Sequence, residues 1–269
     1  MKLSEINIYP VKSLGGISID SAIVEDRGLK LDRRWMLVDE KRQFLTQREF
    51  PVMASIKISV DGEGLKAKCA SGDSIEIGLD PDDGATANVK IWSSSVKAKV
   101  YDETVNGWFS EILGIPCRLV MMPGESKRKV NPFYAVRKFK DTVSFADGYP
   151  FMLIGESSLA DLNARLETPL PMNRFRPNFV VSGSDAFAED TWKKVRVGST
   201  LFHVVKPCAR CVITTVDQAA GEKDGKEPLK TLTTYRNRNG NIHFGQNLIA
   251  EAAGSAVAVG DTVEVLEYR

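Results

Sequence analysis

Lys206-Pro207-Cys208-Ala209-Arg210-Cys211 sets two thiols in a CxxC pair with cations beside and between them. A thiolate in such surroundings is a soft metal ligand or a redox nucleophile. In a thioredoxin-like site the first cysteine opens a helix, whose N-terminal dipole lowers the thiol pKa. Here residues 212–216 read Val-Ile-Thr-Thr-Val, an almost wholly β-branched run that predicts a strand. Residues 201–205 predict another, so the thiols are expected on the loop joining two strands. Arg210 and Lys206, rather than a helix, would then favour the thiolate. A reduced, buried pair without chemistry fits the spacing equally well.

Other turns also gather polar groups. Tyr9-Pro10-Val11-Lys12-Ser13-Leu14-Gly15-Gly16 ends a strand and offers a lysine, a hydroxyl and two glycines in one bend. Charge and close backbone approach suit an anion there, although the glycine order is not that of a P-loop. Asp32-Arg33-Arg34-Trp35 and Arg174-Phe175-Arg176-Pro177-Asn178 each feed arginines into an apolar run, and arginine suits bidentate recognition of phosphate or carboxylate. Asn241-Ile242-His243-Phe244-Gly245-Gln246-Asn247 adds amides, donors and acceptors for a polar heterocycle edge. Each segment taken alone also reads as an ordinary solvated turn. Zinc held by Cys208, Cys211 and His203 is disfavoured, because no second ligand pair exists and Cys69 and Cys117 lie unpaired in expected strands.

The elements that must position these groups are mostly short and β-rich. Alternating or β-branched runs predict strands over 3–9, 21–25, 35–38, 43–46, 55–60, 65–69, 74–77 and 96–101, separated by turn signals such as Asp61-Gly62 and Ser71-Gly72-Asp73. Val105, Trp108, Phe109, Ile112 and Leu113 recur at helical spacing and predict a helix over 103–113, stopped by Gly114 and Pro116. A second helix is expected over 156–166 before Pro169. Strands return over 179–182, 194–197, 201–205, 212–216, 241–244 and 262–266. The basic run at 123–129 reads as a crossing linker, and the charged stretch 221–227 as a mobile, solvated loop. The fold class is therefore mainly β with a few helices, α+β.

With 269 residues, 43% of them hydrophobic, the chain has ample core for one large domain or two ordinary ones. Lys plus Arg total 36 against 35 for Asp plus Glu, so nothing general favours nucleic acid or a bilayer surface, and any anion site must be local. Four cysteines make no disulfide framework. The N-terminus lacks a secretory apolar run, and no membrane span is readable. A reducing, cytoplasmic setting is expected.

Taken in order, Tyr9-Pro10-Val11-Lys12-Ser13, Asp32-Arg33-Arg34-Trp35, Phe175-Arg176-Pro177-Asn178, Cys208 through Asp217, and Phe244-Gly245-Gln246 resemble the MOSC-domain proteins. These are named for the C-terminal domain of molybdenum cofactor sulfurases. The likeness is greatest to the mitochondrial amidoxime-reducing component and its bacterial YcbX-type relatives, and it runs over nearly the whole chain. It implies an N-terminal β-barrel domain over 1–122 and a MOSC β-barrel domain over 123–269. It implies the molybdenum cofactor, Mo-molybdopterin, with Cys211 as the metal ligand and Cys208 as its neighbour. Lys12, Ser13 and Arg33 would surround the pterin phosphate, with Arg176, Asn178, Arg210, Gln246 and Asn247 at other cofactor-side positions. Asp217 is a candidate proton relay, against the commoner turn-capping role.

The chemistry implied is reduction of N-hydroxylated compounds (amidoximes, hydroxylamines, N-hydroxylated nucleobases) to the amine or amidine plus water. Some bacterial relatives continue into a plant-type ferredoxin domain, whose cysteine set is absent here, so no iron–sulfur cluster is expected in this chain. Electrons are expected from a separate reductase or redox protein. The alternative is a carrier that holds the cofactor without turnover. Sulfur transfer is less favoured, because relatives with that activity carry a pyridoxal-phosphate domain.

Overall fold

Apolar residues in the strand Lys2–Ile8 turn Leu3, Ile6 and Ile8 into the core, and the strand pairs not with its sequence neighbours alone but with Phe179–Ser182, far along the chain. In the computed structural model, which describes residues 1–62, 64–81 and 85–269, this pairing starts a nine-stranded sheet. Its order runs Ile17–Ile19, Lys2–Ile8, Phe179–Ser182, Phe151–Gly155, Asn241–Ala250, Thr200–Ala209, Trp192–Val197 and Val263–Tyr268, with Asn237–Arg238 pairing to Asn241–Ala250. Phe151–Gly155 and Phe179–Ser182 are parallel, and the helix Glu156–Asn163 lies in the connection between them. Phe151, Phe179 and Phe202 pack ring to ring at 5.2–5.7 Å and fix one face of this sheet.

A smaller set of sheets holds the other early strands. Trp35–Asp39, Cys117–Met121, Ser94–Val100 and Thr86–Ile91 form one sheet, and Lys57–Val60, Gly64–Lys68 and Ser74–Gly78 another. The helix Glu103–Leu113 closes their core with Val105, Phe109 and Leu113. Its ends follow from sequence: Asp102 Oδ1 accepts the Val105 N–H at 2.9 Å, and Gly114 takes the left-handed φ of 68° beyond the last turn. The chain is thus mainly β, with three α-helices among the described residues. None of its described helices is long and apolar enough to cross a membrane.

Several expected elements change form. Residues 212–216 do not make a strand: Val212–Thr215 is a 3₁₀ turn with Cys211 at its N-cap, and only Val216–Asp217 extends. Thr214 and Thr215 hydroxyls donate back to the Cys211 and Val212 carbonyls at 3.0 and 2.8 Å, so the β-branched threonines close a turn instead of pairing. Residues 43–46 make isolated bridges only, and Pro51–Ser55 is a 3₁₀ turn before the strand Lys57–Val60. The charged stretch 221–227 is anchored rather than free. Glu222–Lys223 pairs with Val216–Asp217, and Asp224 forms an ion pair with buried Arg174 at 2.6 Å. Strands Thr86–Ile91, Cys117–Met121 and Phe151–Gly155 and the helix Leu229–Tyr235 add to what periodicity indicates.

Gly245 sits where Asn241–Ala250 crosses Phe151–Gly155. Its φ is 78°, and a Cβ there would meet Ile154 Cγ1 at 2.6 Å and the Leu153 carbonyl at 2.8 Å. Gly245→Ala combines left-handed strain with a backbone clash and should cost roughly 2–4 kcal/mol in urea unfolding. A loss below about 0.5 kcal/mol, the size of a neutral surface change, would contradict this packing.

Candidate functional site: a cation-lined cleft with two thiols on its wall

Three chain segments meet where the two groups of strands touch. Tyr9 N–H donates to Asp32 Oδ1 at 2.8 Å, Arg33 N–H to the Tyr9 carbonyl, Lys12 N–H to the Trp35 carbonyl, and Phe145 N–H to the Arg33 carbonyl. Asn178 joins them to the large sheet: its Nδ2 donates to the Asn7 carbonyl, while its Oδ1 accepts the Met152 N–H at 3.2 Å and Arg33 Nη1 at 3.4 Å. This lacing holds Ser13, Arg33 and Arg176 at φ of 68°, 50° and 54°, a region that costs side-chain-bearing residues about 1–3 kcal/mol each. All three line the same cleft.

The cleft is lined by Lys12, Arg33, Arg48, Arg174, Arg176 and Arg210, six basic side chains, against one carboxylate, Asp147. Compensation is partial. Lys12 Nζ lies 2.5 Å from Asp147 Oδ1, and Arg33 is paired with fully buried Asp32 at 2.7 Å. Arg174 reaches Asp217 and Asp224 through Nη2, while its buried Nε and Nη1 have no partner. Among the described residues Arg48, Arg176 and Arg210 pair with no carboxylate. Arg210 donates to the Phe244 and Phe175 carbonyls at 2.9 and 3.0 Å. Arg176 donates to Gln218 Oε1 at 3.1 Å and lies 4.2 Å from the Tyr9 ring centroid, with Arg33 at 4.4 Å from the same ring. Burial pushes Arg176 down to about 10, still protonated at neutral pH, and pushes the Tyr9 phenol up to about 12 against the pull of both arginines.

The two cysteines are not equivalent. Cys208 ends the strand Thr200–Ala209 and packs against the Met152, Phe175 and Phe244 cluster. Burial raises its thiol despite Arg210, so the expectation that adjacent cations favour its thiolate fails on desolvation. Cys211, at the start of the 3₁₀ turn, takes a hydrogen bond from Arg48 Nη2 at 3.4 Å. Arg48 itself lies 4.9 Å from the Trp92 ring, and Trp92 Nε1 donates to Asp147 at 3.2 Å. His203 lies elsewhere, hydrogen-bonded to Glu251 at 3.1 Å. All four cysteines are free, and no group of three or more His, Cys, Asp or Glu side chains gathers among the described residues.

Of the residues singled out in the sequence, Lys12, Ser13, Arg33, Arg174, Arg176, Asn178, Cys208, Arg210, Cys211 and Asn247 line the cleft. Gln246 and Asp217 lie off the lining. Gln246 is buried, donating to Asp190 at 2.7 Å, whereas Asp217 Oδ1 caps the Ala219 and Ala220 N–H groups and Oδ2 pairs with Arg174. Gly15 and Gly16 serve packing and not the anion approach their sequence suggested: Gly15 N–H donates to the Ile56 carbonyl, and a Cβ on Gly16 would meet Tyr9 Cε1 at 2.4 Å. Thr46, Arg48, Asp147 and Tyr149 also line the cleft without having been singled out. Asp147-Gly148 and Tyr149-Pro150 carried the only signal, that of a turn.

Asp147 stands at the exposed rim of the cleft, and there Lys12 and Arg48 and the hydrogen bonds from Lys12 and Trp92 outweigh any desolvation and hold its carboxyl below the usual range. A carboxyl lower in the folded than in the unfolded chain contributes its stability in full at neutral pH and loses it as pH falls below the unfolded value. An NMR titration should place Asp147 below the ordinary aspartate midpoint of about 3.9, and Lys12→Met should move it upward. A normal midpoint unaffected by Lys12→Met would dissolve the pair.

Residues 1–116 match the MOSC N-terminal beta barrel domain and residues 140–264 the MOSC domain. The chain is 31% identical to human mitochondrial amidoxime-reducing component 1, over 98% of this chain and 82% of that protein. It is 33% identical to the Xenopus laevis mitochondrial amidoxime-reducing component 1, over 97% and 81%. It is 36% identical to the molybdenum cofactor sulfurase of Oryza sativa subsp. japonica over 90% of this chain, which spans only 32% of that longer protein. With both domain types matched in order and the two amidoxime-reducing components covered over most of their length, this chain belongs to the MOSC-domain family, in the form that carries the N-terminal β-barrel domain.

Proposed function

We propose that the protein is a molybdenum-cofactor-dependent reductase of N-hydroxylated compounds that draws its electrons from a separate donor. The observation that carries this is the cleft's charge: six basic side chains against one carboxylate, with two buried donors of Arg174 left unpaired, beside the Cys211 thiol. Arg48, Arg176 and Arg210 are half-buried with no carboxylate partner among the described residues, and holding such like charge together without an anion is costly. A phosphate-bearing ligand with a soft metal fits both halves of that donor set. The relatives named as amidoxime-reducing components support the substrate class.

In this proposal Lys12, Arg33 and Arg176 hold the phosphate end of the cofactor, with Ser13 and Arg174 beside them. Asn178 keeps Arg33 in place through its Oδ1. Cys211 supplies the thiolate to the metal, and Arg48, 3.4 Å from its Sγ, stabilises the negative charge. The cofactor, when bound, supplies the two-electron chemistry that removes oxygen from an N–OH group. Arg210 and Asn247 present fixed polar edges, Arg210 held by two carbonyls and Asn247 by its bond to the Lys206 carbonyl at 3.2 Å. Asp147, kept ionised by Lys12, offers an acceptor for the amino group of an amidoxime. Gln246 and Asp217 act from outside the cleft lining, as positioning residues through Asp190 and Arg174. A reducing cytoplasm would keep Cys211 available.

Protein made in a host that synthesises the cofactor should contain close to one molybdenum per chain by inductively coupled plasma mass spectrometry, and should reduce benzamidoxime with reduced viologen. Cys211→Ser should lose both metal and turnover, whereas Cys208→Ser should keep at least about half of each, since its thiol packs on the apolar cluster and lacks the Arg48 contact. Molybdenum without turnover in the wild type would instead favour the carrier role. A fully active Cys211→Ser variant would sink the assignment. Arg48→Ala should retain phosphate-end binding but lower turnover on the order of tenfold or more, the scale of removing one charge-assisted contact.

A further inference from the structure

A stretch of surface that the cleft chemistry leaves unused runs over residues 127–140. Phe133 and Phe139 stand 93% and 64% exposed there, with Tyr134 and Val136 also on the surface. Lys127, Lys129, Lys138 and Lys140 are interleaved with these side chains along the segment, all exposed, with Lys129 Nζ 5.8 Å from the Phe139 ring, and among the described residues none of the four forms an ion pair. Arg137 is the paired cation of the stretch, bound to Asp141 and Asp26. The whole chain is near neutrality, 36 basic against 35 acidic residues, so this concentration is local.

The patch is joined to the rim of the cleft. Buried Arg128 donates to the carbonyls of Ser144, Ala146 and Asp147 at 3.1, 2.5 and 2.6 Å, which ties the start of the stretch to the cleft wall. Tyr134 packs edge-on against Tyr149 at 6.1 Å, and Tyr149 lines the cleft. Lys206, two residues before Cys208, lies 4.6 Å from the Tyr134 ring. Exposed aromatic side chains interleaved with lysines outside any ion pair match a partner whose own surface is acidic around an apolar centre. The reductase proposal also demands such a visitor. Breaking the N–O bond of an amidoxime, with release of the oxygen as water, consumes two electrons and two protons per amidine formed.

We propose that residues 127–140 dock a small acidic one-electron carrier protein at the rim of the cleft, two reduced carriers serving each turnover; this rests on the reductase reading above. The lysines steer the carrier by charge, and Phe133 and Phe139 supply apolar contact once it has arrived.

The test uses plant-type ferredoxin as the acidic carrier and reduced methyl viologen as a small donor that needs no docking surface. Wild-type protein should bind oxidised ferredoxin with an affinity that falls as salt rises. The combined variant Lys127→Glu, Lys129→Glu, Lys138→Glu, Lys140→Glu should weaken binding on the order of tenfold or more. Ferredoxin-driven benzamidoxime reduction should fall in parallel, while viologen-driven reduction stays within about twofold, which also reports that the variant is folded. Phe133→Ser with Phe139→Ser should weaken binding with the salt dependence retained. Equal binding by wild type and both variants overturns the proposal. So does cosedimentation with phosphatidylserine vesicles in place of ferredoxin binding, which assigns the patch to a lipid surface. Ferredoxin binding that is intact and lysine-dependent, with no viologen-driven reduction by cofactor-loaded wild type, sinks the reductase reading and leaves the docking surface standing.

Discussion

The constraint on which the rest of this structure depends is the burial of like charge around one cleft. Lys12, Arg33, Arg174 and Arg176 are drawn from turns far apart in sequence and brought together where self-repulsion and desolvation both oppose them. What offsets the cost is distributed: Asp32 under Arg33, Asp147 on Lys12, Asp217 and Asp224 on Arg174, the face of Tyr9 for two guanidiniums. Apart from Asp32, which adjoins Arg33 in one turn, these partners come from segments distant in sequence from the groups they stabilise. The cleft can exist only when both groups of strands are in place. The same over-determination holds Ser13, Arg33 and Arg176 in left-handed backbone.

The asymmetry of the CxxC pair follows from where the strand stops. Thr200–Ala209 carries Cys208 to its end and packs the thiol against an apolar cluster, so its neutral form is favoured. One residue past Arg210 the backbone leaves the sheet, and the Thr214 hydroxyl bonds back to the Cys211 carbonyl. Arg210, fixed between the two by the Phe175 and Phe244 carbonyls, holds the bend. A sequence motif associated with paired thiols thus presents a single sulfur to a cation, Arg48, that comes from the opposite group of strands. That geometry suits a lone soft ligand better than a dithiol couple.

Much of the fold was legible because local patterns and tertiary packing agreed. The helix Glu103–Leu113 has the expected bounds, since its apolar spacing, Asp102 cap and Gly114 stop all act within one segment. The strands Phe179–Ser182 and Gly64–Lys68 are likewise near their expected positions, each alternating or apolar and bounded by turns. Where local preference competed with side-chain hydrogen bonding, it lost: Val-Ile-Thr-Thr-Val closed a 3₁₀ turn, and the charged stretch after Ala220 was captured by Arg174. Phe151–Gly155 and Cys117–Met121, apolar on both sides, carry too little alternation to distinguish a buried strand from other buried structure.

By itself the sequence determined which residue types the site could use: clustered cations at turns, one reactive thiol pair, amides beside a glycine, in an order shared by a family. Those are properties of single side chains and of short spacing, and they survive translation from one dimension. Only the tertiary structure decided which groups face one another. Arg48 and Asp147 had no motif to announce them, because their role comes from lying across the cleft from Cys211 and Lys12. Gln246 and Asn247 are adjacent in sequence, yet strand alternation sends one into the protein toward Asp190 and the other onto the cleft. Charge compensation, desolvation and strand register are through-space quantities, and they were fixed when the first strand paired with one nearly 180 residues away.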